Sequence, residues 1–298
     1  MIAAFTQVGT LALIMALGII AAKLGWLKSE VRKQLTNILL FITTPMVILD
    51  SFQFEYSTDV LKNMGVVALF SIAYILVSYG IGWLFFRKKP NPQKQVLTYA
   101  VAFANVGYMG IPVISGLLGS EGVIYVSVYI STFTLLSWTL GVSIFAGKTG
   151  SLKKILLNPS ILAIAAGLLL FIFSVRLPAV LRNVTASVGN ITTPLSMMLI
   201  GAILTECNPR EVLSNKANYL VAALRLAALP ALALLACSLL GITGHVRTVL
   251  VLIGGMPTAA NSVMFATLYG GDEKAASAIV VLTTVLFMLT CALWMTVL

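Results

Sequence analysis

Charged residues are scarce in this chain. Of its 298 residues, 9% are Asp, Glu, Lys or Arg, 59% are hydrophobic, and the mean hydropathy is +1.03. A soluble domain carries roughly 25% charged residues, so this composition excludes one and predicts a polytopic membrane protein. The net charge of +10 does not indicate nucleic-acid binding, because the basic residues fall in short loops without interleaved aromatic residues.

Cysteine and histidine are also rare. The three cysteines show no CxxC spacing, and the one histidine, His245, falls in a predicted loop. A protein metal site needs several such ligands. We therefore predict no metal and no cofactor, cysteines that pack as small apolar residues, and a solvated His245.

Acidic residues are missing from the middle of every long apolar segment. All nine lie at segment ends or in loops. A membrane-embedded pair of carboxylates that could relay protons is therefore absent, which argues against a dedicated sodium/proton antiporter. The sequence also lacks an HExxH motif and a convincing serine–histidine pair, so we do not expect an enzyme.

Long apolar segments dominate the rest of the chain. At about 20 apolar residues for each membrane span, the sequence predicts ten spans. Their approximate bounds are 4–24, 34–52, 62–86, 95–118, 122–146, 154–175, 185–205, 216–241, 247–268 and 274–297. The loops after odd-numbered spans, with the adjoining helix ends, hold 14 of the 19 basic residues. The positive-inside rule assigns that side to the cytoplasm, so both termini should face outward from the inner membrane.

The two halves of the chain, 1–147 and 154–298, resemble each other. Three short motifs recur at an offset of 149 to 152 residues: 42–45 and 191–194, 59–63 and 211–215, and 119–121 and 271–273. Each half would hold five spans. Because five is odd, the halves must have opposite orientations, and the sequence predicts an inverted repeat.

Two of the predicted spans carry helix-breaking residues at membrane depth. Residues 104–113 contain two glycines before Pro112, and residues 254–261 contain two before Pro257. Proline removes a backbone donor and glycine loosens the backbone, and in lipid the freed polar groups need partners in protein or in a water-lined cavity. Paired interruptions in corresponding halves indicate a transporter's binding site near the midplane.

Each broken span becomes two half-helices. We predict that the second halves begin near Pro112 and Pro257, because proline suits the first turn of a helix. Their N-termini carry unpaired N–H groups and a partial positive charge, which favour an anion. The preceding halves end at the same depth and offer carbonyl groups to a small cation. The place where the two broken spans would cross is therefore predicted to bind a carboxylate, a sodium ion or both.

Several side chains near the breaks allow more than one interpretation. Asn105 and Asn261 either contact a ligand or only satisfy freed backbone groups. Tyr108 and Met256 either line the substrate path or pack against neighbours. Arg225, the one basic residue well inside a span, is either a substrate or gating contact or a structural residue that extends toward the cytoplasm.

Span 5 carries Ser127, Ser131 and Thr134 on one helical face, with Thr132 adjacent to it. Ser127, Ser131 and the adjacent Thr132, together with Asn261, could coordinate sodium. The alternative is hydrogen bonding between helices, which is common for such residues in membranes.

The segment from Asn105 to Pro112 resembles the N-x-x-x-x-G-x-P stretch in the fourth span of the auxin efflux carrier family. The segment from Met256 to Asn261, followed by Tyr-Gly-Gly-Asp, resembles the ninth-span motif of its bacterial members. Length, ten spans and a threonine-rich last span also fit. The resemblance covers the whole chain.

This resemblance implies an all-α membrane fold of two inverted five-helix repeats, similar to that of sodium/proton antiporters. It implies a scaffold of spans 1, 2, 6 and 7, which often dimerises, and a transport domain of spans 3–5 and 8–10, which moves like an elevator. Substrates would be organic anions such as auxin, malate or malonate, with Asn105 on the carboxylate. The long loop of plant members is missing here, which makes auxin itself a doubtful substrate.

We therefore predict a carrier of a small organic anion, coupled to sodium, to protons or to neither, and in contact with lipid but not with nucleic acid. The predicted substrate-binding residues are Asn105, Gly107, Tyr108, Gly110, Pro112, Arg225, Met256, Pro257, Thr258 and Asn261. Thr44, Pro45, Thr193 and Pro194 are expected on the scaffold side of the pocket. The alternatives are a sodium-coupled symporter of larger amphipathic anions and a membrane sensor that binds a ligand without moving it.

Overall fold

The computed structural model describes residues 2–53, 56–147, 157–205 and 209–298. Helices make up 84% of the structure, and these residues form no strands. Six helical stretches are long and apolar enough to cross a membrane: Ser29–Ser51, Thr58–Phe86, Val106–Ala146, Ala179–Leu204, Lys216–Leu239 and Glu273–Val297. Shorter apolar helices cover Gly9–Lys23, Pro159–Ile172 and Gly244–Gly254. An all-helical, multi-pass membrane protein is thereby confirmed, while the count of ten spans and the inverted repeat stay predictions.

We number the α-helices in chain order. They are α1 (Ile2–Lys23), α2 (Ser29–Ile38), α3 (Thr44–Ser51), α4 (Thr58–Phe86), α5 (Gln93–Ala102), α6 (Ile111–Leu136), α7 (Val142–Ala146), α8 (Pro159–Ile172), α9 (Ala179–Gly189), α10 (Thr192–Leu204), α11 (Pro209–Ser214), α12 (Lys216–Ala223), α13 (Leu229–Leu239), α14 (Gly244–Gly254), α15 (Asn261–Tyr269) and α16 (Glu273–Val297). Four short π-helical segments join some of them: Leu39–Thr43, Val106–Gly110, Ser137–Gly141 and Leu224–Ala228.

Three of the π-helical segments share a cause. They end two residues before Pro45, Pro112 and Pro230. A proline has no N–H to donate and its ring clashes with the carbonyl four residues earlier, so the turn before it widens. Four residues before Pro230 is Leu226, whose carbonyl accepts a hydrogen bond of 2.8 Å from the indole Nε1 of Trp294. The α16 side chain thus supplies the donor that the proline lacks.

The predicted loop between spans 4 and 5 is a tight turn at Gly119. This residue has φ +61° and ψ −151°, inside α6 as bounded above. A left-handed φ favours glycine, which has no Cβ to clash. The chain folds back there. As a result, a Cβ at Gly122 would lie only 2.6 Å from Ile114 Cγ2, although Ile114 is eight residues earlier.

Glycines also allow the closest helix contacts, which join α1 to α10 and α3 to α8 and α9. A methyl group at Gly18 would overlap the carbonyl oxygen of Met198, and one at Gly201 would overlap that of Met15. These two glycines therefore let the backbones of α1 and α10 touch. Gly167 of α8 instead lies against the side chain of Phe52, next to α3, where a Cβ would come within 2.5 Å of Phe52 Cδ2.

The cysteines that the structure describes behave as predicted. Cys237 and Cys291 are buried and unpaired, whereas Cys207 lies outside the described residues. The prediction that His245 lies in a loop was wrong, because α14 begins at Gly244 and His245 is in its first turn. It is half-exposed, and its Nδ1 lies 3.0 Å from Glu121 Oε2.

The reciprocal glycine contact between α1 and α10 gives a direct test of the packing. We expect Gly201→Leu to destabilise the protein at the upper end of the roughly 1–3 kcal/mol that overpacking costs, because the new side chain must displace backbone rather than a flexible neighbour. The measurement is the thermal unfolding midpoint in detergent.

Gly9→Leu is the matched control, since a side chain there meets no atom within 4 Å. Equal midpoints for the two leucine variants would contradict the close contact.

Candidate functional site

The two helix breaks lie side by side and pair with each other. Ala104 and Thr258 form an isolated antiparallel bridge. The Asn105 N–H donates to the Pro257 carbonyl at 2.8 Å, and the Ala259 N–H donates to the Phe103 carbonyl at 3.0 Å. We call residues 103–105 and 257–259 the crossing. Each break thus supplies the hydrogen-bond partners that the other has lost.

Two threonines fix the crossing to the neighbouring helices. Thr258 is fully buried, and its hydroxyl donates to the Ala100 carbonyl of α5 at 3.1 Å. The Thr258 N–H donates to the hydroxyl of Thr283 in α16 at 3.2 Å. Sequence reasoning missed Thr283. The only signal for it was the threonine content of the last span.

Asn105 caps the turn that follows the break. It is 3% exposed, and its side-chain oxygen accepts a hydrogen bond of 3.3 Å from the Tyr108 N–H. The interpretation of Asn105 as a partner for freed backbone groups is therefore correct for that oxygen. The side-chain NH₂ donates to no other described residue, so it is the group that could contact a ligand.

The second half-helix of span 9 begins at a different place from that predicted, whereas that of span 4 is as predicted apart from the π-helical turn before it. Residues 106–110 already form a π-helical turn before α6 begins at Ile111. On the other side, α15 begins at Asn261 and not near Pro257. The prediction for Pro257 was wrong because residues 257–259 are extended and pair with the other break. Pro112 does lie in the first turn of α6, as predicted.

Arg225 is fully buried behind the crossing. Its Nη1 donates to the Val101 carbonyl at 3.0 Å and its Nη2 to the Gly254 carbonyl at 3.1 Å. Its Nε and Nη2 donate to the Met256 carbonyl at 3.2 and 3.0 Å. The alternative in which this side chain extends to the membrane surface is therefore wrong. Arg225 instead joins the ends of α5 and α14.

The remaining predicted substrate residues surround the crossing. Gly110, Pro112, Met256 and Pro257 are buried, whereas Gly107 and Asn261 are half-exposed. Tyr108 is 8% exposed, and its hydroxyl lies near the side chain of Thr36 in α2. Tyr108 thus brings the segment after the first break near another span.

The four residues predicted on the scaffold side of the pocket lie only partly at the site. Thr44 and Pro45 are buried, Thr193 is half-exposed and Pro194 is exposed. Helix α10, which contains both Thr193 and Pro194, packs against Val106–Gly110, and α3 packs against α6. Proximity of these two helices to the first break is therefore observed, but no hydrogen bond joins the four residues to it.

The hydroxyl groups of span 5 bond mainly within their own helix. Ser127 donates to the Val123 carbonyl at 2.7 Å, and Ser131 donates to the Ser127 carbonyl at 3.3 Å. Thr132 lies 2.6 Å from the Ser71 hydroxyl of α4. Hydrogen bonding between helices, the alternative to a sodium site, is thus observed at Thr132. None of these bonds involves Asn261.

Two further buried hydroxyl groups were not singled out from the sequence, one just after the crossing and one next to Thr283. Ser262 Oγ, in the first turn of α15, and Thr284 Oγ1, next to Thr283, are fully buried and have no hydrogen-bond partner among the described residues. A buried hydroxyl without a partner costs about 1–3 kcal/mol. A polar ligand or water beside either hydroxyl would remove that cost for it.

A separate polar cavity of about 280 Å³ lies elsewhere in the structure. It is lined by Asn63, Glu121, Tyr125, Thr243, Gly244, His245 and Val246. The Asn63 side chain donates to the Tyr125 hydroxyl at 3.3 Å. The His245–Glu121 pair thus lies in this cavity, and none of its lining residues belongs to the crossing.

Comparisons with known proteins match most of the length of the chain. A family model described as "Membrane transport protein" matches residues 3–154 and 149–295. An uncharacterized transporter of Methanocaldococcus jannaschii is 25% identical over 91% of both chains. An uncharacterized transporter of Methanothermobacter thermautotrophicus is 26% identical over 95% of this chain and 94% of its own. A Rhizobium meliloti protein named "Putative malonate transporter" is 26% identical over 71% of this chain and 69% of its own.

The pairing at the crossing can be tested at Thr258. We expect Thr258→Val to lower the free energy of unfolding by about 1–3 kcal/mol, because the change keeps the shape but leaves the Ala100 carbonyl without this donor. The measurement is the thermal midpoint of purified protein.

Thr267→Val is the matched control, since the exposed Thr267 hydroxyl bonds only to the Val263 carbonyl of its own helix. If both valine variants unfold at the wild-type temperature, Thr258 does not stabilise the crossing.

Proposed function

The chain belongs to the membrane transport protein family, of the auxin efflux carrier type, and on this premise we propose that it carries a small organic anion, bound at the crossing. The observation that supports this most is the reciprocal pairing of the two breaks. It brings together Asn105, the first turn of the helical segment that begins at Val106 and continues into α6, and the first turn of α15. Helix N-termini favour anions, and the Asn105 amide is a suitable donor to a carboxylate.

A short dicarboxylate is the substrate class that we favour. The name of the Rhizobium meliloti relative refers to malonate. The segment after the first break is crowded, because Tyr108 is 8% exposed and Val106 and Met109 are fully buried. A crowded site with few polar donors suits a small acid better than a large amphipathic one.

We further propose the domain organisation that the family resemblance implies. The scaffold would comprise spans 1, 2, 6 and 7, and their close glycine contacts between α1 and α10 and between α3 and α8 support a rigid unit. Spans 3–5 and 8–10 would form the transport domain, joined at the crossing and by Arg225. Ten spans as an inverted repeat, elevator motion of the transport domain and a homodimer through the scaffold belong to this proposal.

The proposed orientation follows from charge. The basic loops would face the cytoplasm and both termini the outside of the cell membrane. Ser127 and Ser131 bond within their own helix, which gives no support to a sodium-coupled mechanism at that face.

The anion site predicts a specific loss on changing Asn105. Malonate should raise the thermal midpoint of the wild-type protein, because a ligand that binds only the folded state stabilises it. We expect Asn105→Ala to abolish that shift while the protein still folds, since the change removes the carboxylate donor at the crossing.

Asn190→Ala, at an exposed position after α9, is the control and should keep the full shift. A malonate shift that survives in Asn105→Ala would place the site elsewhere. If a neutral or cationic compound stabilised the protein and no acid did, the anion proposal would be wrong.

A further inference from the structure

Arg225 is a permanent positive charge in the membrane interior without an acidic partner in the described structure. Its hydrogen bonds all go to backbone carbonyls, those of Val101, Gly254 and Met256. The Tyr74 hydroxyl donates to the same Gly254 carbonyl at 3.0 Å. A guanidinium group does not lose its proton in proteins, and burying an unpaired charge is costly. An anion nearby would therefore be strongly favoured.

The carbonyls that Arg225 holds are those left by the two helix breaks. Val101 belongs to the last turn of α5, and Gly254 is the last residue of α14. The C-terminal end of a helix carries a partial negative charge. In a broken membrane helix these are the groups that could otherwise hold a small cation. Here the guanidinium occupies them.

A short path of hydrogen bonds and backbone joins Arg225 to the first break. Met256, which accepts two of its hydrogen bonds, precedes Pro257, and the Pro257 carbonyl accepts from the Asn105 N–H. The guanidinium thus bonds to the backbone just before Pro257, while the Asn105 side-chain NH₂ and the helix starts at Val106 and Asn261 follow the crossing residues. Arg225 thus offsets the partial negative charge at the ends of α5 and α14, and no such charge is placed against the positive helix ends that follow the breaks.

We propose that Arg225 is a resident cation that fills the carbonyl cluster of the crossing and selects an anionic substrate without touching it. This role rests on the proposed function and adds to it the source of charge selectivity. Arg225 is accordingly a positioning and specificity-determining residue, not a direct substrate contact. Because its place is already filled, anion binding at the crossing requires no sodium ion.

The test compares malonate binding by wild type, Arg225→Lys and Arg225→Met, each in sodium and in choline at equal ionic strength. Wild type and the lysine variant should bind equally well in both salts. In choline the methionine variant should bind about tenfold more weakly or worse, the effect of one unit charge several ångströms away at an effective dielectric constant of about 20. Sodium should restore part of its affinity, because the emptied carbonyl cluster can accept it.

Arg87→Met is the matched control, since Arg87 is exposed just after α4 and lies over the Trp83 ring. It should bind malonate as wild type does. A purely structural role for Arg225 would instead weaken binding in both the lysine and the methionine variants, with the same result in both salts. If the methionine variant does not fold, the malonate affinities of wild type and Arg225→Lys in sodium and in choline still test the inference.

Three results would overturn the inference. They are sodium-dependent malonate binding by wild type, equal losses in both Arg225 variants, and unchanged binding by Arg225→Met in choline. Failure of the proposed function looks different, because wild type would then bind no acid in either salt. In that case the thermal midpoint of the wild-type protein without malonate still tests the role of Arg225. A higher midpoint in sodium than in choline would contradict it, because a carbonyl cluster filled by Arg225 should not bind sodium.

Discussion

The structure depends on one constraint, which is that backbone polar groups inside a membrane must be paired within the protein. The two broken spans meet this constraint together. The extended residues 103–105 and 257–259 exchange two backbone hydrogen bonds, and Arg225 collects the carbonyls at the ends of α5 and α14. Neither break can be satisfied without the other. The two spans must therefore behave as one unit, which is what a binding site at their crossing needs.

The prolines show the same constraint on a smaller scale. Each of Pro45, Pro112 and Pro230 follows a widened π-helical turn. Where a donor is needed beside Pro230, Trp294 supplies it from another helix. Such turns are frequent at functional sites. Here these widened turns allow glycine and proline at membrane depth. Most of the backbone N–H and carbonyl groups that lose their helical partners there still form hydrogen bonds.

The sequence predicted much of this arrangement from local signals. The all-helical membrane fold, the positions of both breaks and the presence of Asn105 beside the first one all follow from composition, proline and glycine. The start of α15 at Asn261 was not predictable in this way, because it depends on pairing with residues more than 150 positions earlier. The contacts of Arg225 and Thr283 were missed for the same reason. Sequence placed Arg225 inside a span, but only the folded chain shows that its guanidinium faces backbone carbonyls.

Transport is the central claim, and exchange across a membrane tests it most directly. Purified protein would be reconstituted into liposomes loaded with unlabelled malonate, and entry of labelled malonate from outside would be followed, with protein-free liposomes as the control. Our account predicts saturable uptake that depends on the unlabelled malonate inside, because a carrier with one alternating site exchanges its substrate. Malonate binding without any exchange would contradict it and would identify the protein as a sensor.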